Sequence, residues 1–366
     1  MLVRHTRPRR RGADGVPDYL WFIPVGTSAA CRYYRGCALA EVGSRLGFRV
    51  DLATSRADVY KGLERRPRAL ILYRTAWSPW LNGVLTRARR NRVVVGFDTD
   101  DVVVEPAYSP IVAGYRLLSE KEREHYDEGV SRYRETVHRV DFVTASTPYL
   151  IQVLRRYNSH AMLLANIHTQ ETWAKRRGVD RSNIRPTVAY FSGTRTHDAD
   201  FSIAAKALLT VLRERRDLIL RIVGDLSLPP AFRDLADQID VRPAVPFEQL
   251  YNAYAGVSLV ICPLERDPFC NGKSHVKYSE AALGGAAAVV SDVPAYRVVT
   301  TGRDGLVART EQEWLDGLRL LVNFPEKRAA IAQQAQLLVA AQLCSSSDNI
   351  KQQFMRVDTL IRELRM

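Results

Sequence analysis

Asn271-Gly272-Lys273-Ser274-His275-Val276-Lys277-Tyr278-Ser279-Glu280-Ala281-Ala282, followed by Leu283-Gly284-Gly285-Ala286-Ala287-Ala288-Val289-Val290-Ser291-Asp292, decides how this chain is read. The first half has the apolar spacing of a helix, and the apolar run after the Gly-Gly pair predicts a buried parallel strand. Pro263 and Pro268 keep the preceding segment irregular, so Asn271 or Gly272 is expected at the N-cap. Unpaired amides and the positive end of the helix dipole favour an anion there. At about 100° per residue, Lys273, Lys277 and Glu280 share one helix face. Val276 and Leu283 border that face on one side, Ala281 and Gly284 on the other. A border so poor in charge suits the wall of a cleft; the alternative is an ordinary ion pair on a surface helix.

Working outward, 366 residues suit two domains of ordinary size, and 46% hydrophobic with 25% charged residues marks a globular chain. No run approaches the roughly 20 apolar residues of a membrane span. The basic start, Arg4 to Arg11, leads into a polar stretch instead of a signal-peptide core, so a cytoplasmic protein with a basic tail is expected. Cys31, Cys37, Cys262, Cys270 and Cys344 are odd in number and lack C-x-x-C spacing, which indicates reduced thiols. The net charge of +13 calls for an acidic partner: nucleic acid, an anionic membrane face, or phosphorylated substrates. Basic clusters at 61–68 and 87–92 suit peripheral attachment to anionic lipid on the inner face of a membrane, or are simply solvated. No nucleic-acid-binding module or aromatic-basic interleaving accompanies the charge, so no nucleic-acid partner is expected.

Short apolar, often β-branched runs alternate with amphipathic stretches, the pattern of βα units around parallel sheets. Strands are expected near 20–24, 49–52, 69–73, 92–97, 142–145 and 161–164, with a long charged helix across 110–138. The polar stretch 168–186 is the candidate linker. A second series follows, with strands near 187–191, 219–223, 239–242, 258–261, 287–290 and 306–308. Its helices are expected near 200–213, 247–254, 274–283, 311–323 and 326–343, and a last amphipathic helix spans 348–365. The fold class is therefore α/β: two Rossmann-like, doubly wound parallel-sheet domains, 1–167 and 187–345, facing a central cleft where ligands of such sheets sit.

The motifs fall in a familiar order. In the second half they are Tyr190-Phe191-Ser192-Gly193-Thr194 with His197 and Asp200-Phe201; Leu220-Arg221-Ile222-Val223-Gly224; Val241 to Tyr254; Val257-Ser258-Leu259-Val260-Ile261-Cys262-Pro263-Leu264; Asn271 through Asp292; and Gly302-Arg303-Asp304-Gly305-Leu306-Val307 ahead of Trp314. Weaker echoes are Cys31-Arg32-Tyr33-Tyr34-Arg35, Gly96-Phe97-Asp98-Thr99-Asp100-Asp101-Val102 and Asp141-Phe142-Val143-Thr144-Ala145-Ser146-Thr147. In this set the chain resembles GT-B glycosyltransferases, and within them the large retaining group called group 1 or family 4, over most of its length.

That resemblance implies transfer of a hexose or deoxyhexose from a UDP-, GDP- or TDP-sugar to a glycan, glycolipid or small-molecule acceptor, with retention, in surface polysaccharide or glycoconjugate biosynthesis. It implies a donor held by the second domain, an acceptor held by the first, a last helix crossing back to the first domain, and no cofactor or metal beside the donor substrate. Gly193 and Thr194 then let backbone approach the donor phosphates, with Arg195 or His197 adding charge. Lys273 or Lys277 neutralises the leaving diphosphate, and Glu280 accepts hydrogen bonds from ribose hydroxyls. Gly224 lies where the base is expected, and Asn271, Gly272 and Ser274 belong to the donor-binding turn. One departure stands out: the family pairs two glutamates eight positions apart, and eight before Glu280 stands Gly272. The first carboxylate usually meets the transferred sugar, a contact that Asn271 is left to supply in part.

Other residues carry competing readings. Asp98-Thr99-Asp100-Asp101 is similar to the metal-binding Asp-x-Asp of the other glycosyltransferase fold; otherwise one carboxylate orients the acceptor or caps a turn, with Asp100 or Asp101 the candidate base. Trp77 and Trp80 stack on an acceptor or serve packing. Arg32 and Arg35, cations at a helix start, face an acidic ligand or none. His125, His138, His168 and His275 have no ligand spacing and are expected at surface or cap positions. The alternatives in function are a nucleotide-sugar epimerase, a natural-product glycosyltransferase and, on charge alone, a nucleic-acid-binding protein.

Overall fold

A computed structural model describes residues 16–112, 114–175, 185–192 and 198–366; the basic tail at 4–11 lies outside them. Strands β1 (Tyr19–Phe22), β2 (Val50–Ala53), β3 (Ala69–Tyr73), β4 (Val94–Thr99), β5 (Phe142–Ala145) and β6 (Ala161–Leu163) form a parallel sheet in the order β2-β1-β3-β4-β5-β6. Strands β7 (Thr187–Phe191), β8 (Ile219–Val223), β9 (Ile239–Arg242), β10 (Leu259–Cys262), β11 (Ala287–Ser291) and β12 (Leu306–Ala308) form a second, in the order β12-β11-β10-β7-β8-β9. Runs such as Ala-Leu-Ile-Leu-Tyr in β3 and Ala-Ala-Val-Val-Ser in β11 are buried at every position, as strands covered on both faces must be. Each sheet order reverses once, between β1 and β3 and between β7 and β10, and a crevice opens beyond the strand ends at such a reversal.

The crossovers of the first domain are α1 (Ala29–Arg32), α2 (Ala38–Arg45), α3 (Arg56–Glu64), α4 (Pro79–Arg90), α5 (Glu120–Arg139) and α6 (Pro148–Leu154). Within the 168–186 segment, α7 covers Gln170–Lys175. The second domain adds α8 (Asp198–Glu214), α9 (Leu250–Ala253), α10 (Val276–Leu283), α11 (Glu311–Asn323) and α12 (Pro325–Gln342), and α13 (Asp348–Arg365) closes the chain. α13 returns to the first domain, where Ile350, Phe354, Val357 and Ile361 join Tyr19, Trp21, Leu39 and Phe142 in one buried cluster. Asp358 on the same helix accepts from the Tyr19 hydroxyl and pairs with Arg68 and Arg362.

Beyond shifts of one or two residues at element ends, two helical stretches differ from expectation for local reasons. The charged helix starts at Glu120, not near 110, because Pro110 keeps the stretch before it in short 3-10 turns and Ser119 with Glu122 forms a capping box. Residues 247–254 divide into a 3-10 turn, Phe247–Gln249, and the single turn of α9. A π-helix, Tyr33–Cys37, lies between α1 and α2 and has no signature in the sequence.

Candidate active site between the two sheets

The decisive helix, α10, begins at Val276, two residues later than expected. His275 is its N-cap, replacing Asn271 or Gly272, and among the described residues no side chain caps the first-turn amides. Cys270–Gly272 is a 3-10 turn and Lys273 is extended, so Lys273 does not share a helix face with Lys277 and Glu280. The proline-bounded segment satisfies its amides internally, Asp267 accepting from Cys270 N at 2.7 Å, which delays the helix.

Lys273 nevertheless reaches across to the first domain, and Lys277 lies at the carboxyl ends of the second sheet's strands, by Tyr190 and Cys262. Lys273 Nζ stands 3.0 and 2.9 Å from the two carboxylate oxygens of Asp101, across the cleft after β4. Lys277 is half-buried as a residue, but its Nζ is covered, 4.9 Å from the Tyr190 ring centroid, with no hydrogen-bond partner among the described residues. Burial pushes its pKa down, against the opposing fields of Asp200, Cys262 and Glu280. Glu280 is buried one helical turn on, and its Oε1 accepts from the Tyr34 hydroxyl of the first domain at 2.7 Å. Burial raises this carboxyl to about 7, although Tyr34 and Lys277 favour its ionised form.

Further contacts close the gap. Asn166 donates to Ser274 Oγ at 3.0 Å, and Thr147 Oγ1 donates to the Gly272 carbonyl at 3.3 Å. A Cβ on Gly272 would meet Val102 Cγ2 at 2.6 Å and Leu150 Cδ2 at 3.2 Å, so the backbone here touches the first domain where the family carries its first glutamate. Asn271 lies beside the Tyr149 hydroxyl. In the second domain, Gly224 has φ +107°, and a Cβ there would fall 1.9 Å from the Ser192 carbonyl oxygen; only glycine lets the ends of β7 and β8 approach this closely. Gly193, Thr194, Arg195 and His197 lie outside the described residues.

The Asp98–Asp101 cluster divides by burial. Asp98 is buried inside the first domain, its carboxylate bound by Arg35 Nε at 3.0 Å and Nη2 at 2.5 Å and by Thr144 Oγ1 at 2.6 Å. Arg35 is thus committed to the core of its own domain and faces no ligand, while Arg32 is exposed beside the Thr27 carbonyl. Asp100 accepts from Tyr73 at 2.7 Å and from Arg74 at 2.6 Å. Asp100 and Asp101 therefore sit at the cleft, each already bound to a cation. Trp77 and Trp80 pack on the first core, with Arg139 4.3 Å from the Trp77 ring and Arg56 5.0 Å from that of Trp80.

His125 and His138 are exposed, as expected, but His168 is fully buried at the junction, its Nε2 2.8 Å from Ser279 Oγ. Burial holds it near 3 and His275 near 4, so both are neutral at physiological pH. Tyr34 and Arg74 are cleft residues that the sequence did not single out. Two adjacent tyrosines next to an arginine after the first strand were the available signal for Tyr34; Arg74 had none beyond its place after β3.

Residues 185–323 match the family model for group 1 glycosyl transferases. No curated protein sequence matches the chain. Among solved structures it is similar to sucrose-phosphate synthase from Thermosynechococcus elongatus, with 13% identity and a TM-score of 0.60 over 94% of this chain and 99% of that one. It is similar to HepE from Anabaena in complex with UDP and glucose, with 13% identity and a TM-score of 0.61 over 94% and 99%. A glycosyltransferase from Rickettsia africae gives 10% identity and a TM-score of 0.64 over 96% and 99%. At these identities the structural likeness carries the fold, the two-domain GT-B architecture, and the family match places residues 185–323, in the second domain, with the group 1 glycosyl transferases.

Proposed function

We propose that the protein transfers a hexose or deoxyhexose from a nucleoside diphosphate sugar to a glycan, glycolipid or small-molecule acceptor, with retention at the anomeric carbon, in the assembly of a surface polysaccharide or glycoconjugate. The observation that carries the donor half is the Lys277 ammonium, which among the described residues is covered, without a hydrogen bond, and at the start of a helix with no side-chain cap. Burying such a charge unpaired is unfavourable. A diphosphate lying over the first-turn amides supplies the missing counter-charge.

The chemistry follows from charge development. As the bond from the sugar C1 to the diphosphate lengthens, negative charge grows on the leaving oxygen, and Lys277 stabilises the transition state more than the ground state. Glu280 takes the ribose hydroxyls, and Gly224 keeps the second strand end open toward the base. Gly193, Thr194 and Arg195 extend the phosphate cradle, with Ser274 at its edge. Asn271, at the junction with the first domain, serves the transferred sugar in place of the absent glutamate. Lys273 holds Asp101 in position, so Asp101, with Asp100 beside it, orients the acceptor on the first-domain wall. Amides and ammonium groups supply the charge that a divalent ion supplies elsewhere, so this reading calls for no metal.

Exposed arginines at the ends of α3 and α4, including Arg65, Arg66, Arg87, Arg89 and Arg90, support docking on anionic lipid as a peripheral protein of the inner membrane face. Incubation with UDP-, GDP- and TDP-sugars carrying a labelled sugar tests the reaction. A new glycosidic bond with the donor's anomeric configuration, formed equally in EDTA, is expected. An isomerised sugar still linked to its nucleotide would instead make the protein an epimerase.

A further inference from the structure

Tyr34 sits in the π-helix Tyr33–Cys37, where an extra residue per turn re-aims successive side chains and often marks a functional site. Its neighbours are anchored on either side. The Tyr33 hydroxyl donates to Thr172 Oγ1 at 2.7 Å in the connecting segment and accepts from Thr169 N at 2.9 Å. Arg35 is fixed to Asp98 and to the Leu164 carbonyl. Tyr34 is itself buried, with its ring edge-on to Tyr33 at 4.9 Å and to His168 at 5.5 Å. Its hydroxyl then has one described partner, Glu280 Oε1. The other oxygen of Glu280 has no hydrogen bond among the described residues.

We propose that Tyr34 is a positioning residue for the donor: from the first domain it anchors one oxygen of Glu280 and so presents the other to the ribose hydroxyls. The inference rests on the donor-site reading of Glu280 and adds what that reading lacks, a reason for nucleotide affinity to depend on the opposite domain. With the domains apart, Glu280 loses its anchor and a group that favours its charge. Donor binding and closure are thereby coupled through a single hydrogen bond.

The charge of Glu280 is the readout. The titratable groups around it are Tyr34 from the π-helix, Lys277 on α10, Tyr251 on α9, Tyr254 just after it, and Cys262 on β10. At neutral pH the tyrosines and the cysteine stay neutral, pushed up by burial, so Tyr34 and Lys277 supply the stabilisation of the carboxylate.

The test compares wild type with Tyr34→Phe, which keeps the ring packing. Calorimetry across pH 6 to 9 would use whichever of UDP, GDP, TDP or ADP gives the largest thermal shift. The ligand's own phosphate titration is common to both proteins and cancels in the comparison. We expect Tyr34→Phe to bind roughly tenfold more weakly near pH 7, with the midpoint of the pH profile displaced upward and a smaller loss persisting at high pH, where Glu280 is ionised in both proteins but anchored in only one. In a Glu280→Gln background the same change should have no pH-dependent effect. Tighter binding by Tyr34→Phe, marking a blocking contact, or an unshifted profile would overturn the inference while leaving the donor site standing. A wild type that binds none of the four would remove the donor site and this inference with it.

Discussion

The two carboxylate oxygens of Asp101 lie 3.0 and 2.9 Å from Lys273 Nζ, joining the end of β4 to the turn before α10 across the cleft. Burial opposes charge on Asp101, but Lys273 and Arg74 outweigh it and hold its carboxyl below the usual range. A depressed carboxyl contributes stability above its unfolded value of about 3.9 and loses it as pH falls through its folded value. The closed arrangement should therefore survive at pH 5 and open only below about pH 4. Asp101→Asn should lower stability by about 1–2 kcal/mol, the range between exposed and buried pairs, and increase the radius of gyration in small-angle scattering. An unchanged radius at neutral pH would argue against this pair as a closure contact.

Glu280 gives the opposite sign. Its carboxyl is raised from 4.5 to about 7, so the unfolded chain ionises first and stability falls as pH rises between those values. Glu280→Gln, which retains an acceptor for Tyr34, should stabilise the ligand-free protein by about 3 kcal/mol at pH 8, with the gain vanishing near pH 4.5. The same variant should lose nucleotide affinity. Thermal unfolding across that pH range checks the slope; equal stability of the two proteins throughout would contradict it.

Gly272 is a contact glycine as well as a missing glutamate. Gly272→Glu should fail to raise activity, because its Cβ meets Val102 Cγ2 at 2.6 Å and pushes the domains apart. Gly272→Ala should cost about 1–3 kcal/mol, the usual range for overpacking, with partial recovery when Val102→Ala makes room. A fully active Gly272→Glu protein would show that the turn moves freely away from the first domain.

How far the sequence carried depended on the range of the interactions. β3, β5, β7 and β8 fall on the expected residues because strands covered on both faces read as largely apolar runs, and the edge strands β9 and β12 fall there as short β-branched stretches between turn residues. α11 and α13 also fall on the expected residues, α13 through its amphipathic spacing, and the structure adds that a capping box of Thr310 and Glu313 fixes the start of α11. The start of α10 was misplaced because Asp267 satisfies the preceding turn, an effect that no helical period records. The Tyr34–Glu280 bond joins residues 246 positions apart, and the closeness of Gly272 to Val102 exists only once two domains meet. Family motifs picked out Lys277 and Glu280; their opposing neighbours required the fold.

The Lys277 ammonium, covered and without a hydrogen bond among the described residues, is on this reading completed by a diphosphate. Calorimetric titration of UDP, GDP, TDP and ADP into wild type and Lys277→Met tests it most directly. Wild type should bind at least one of them, and the variant, relieved of a buried charge, should melt at the same or a higher temperature yet bind that nucleotide more than roughly tenfold more weakly. Equal affinity in the two proteins, or no binding by wild type, would contradict it.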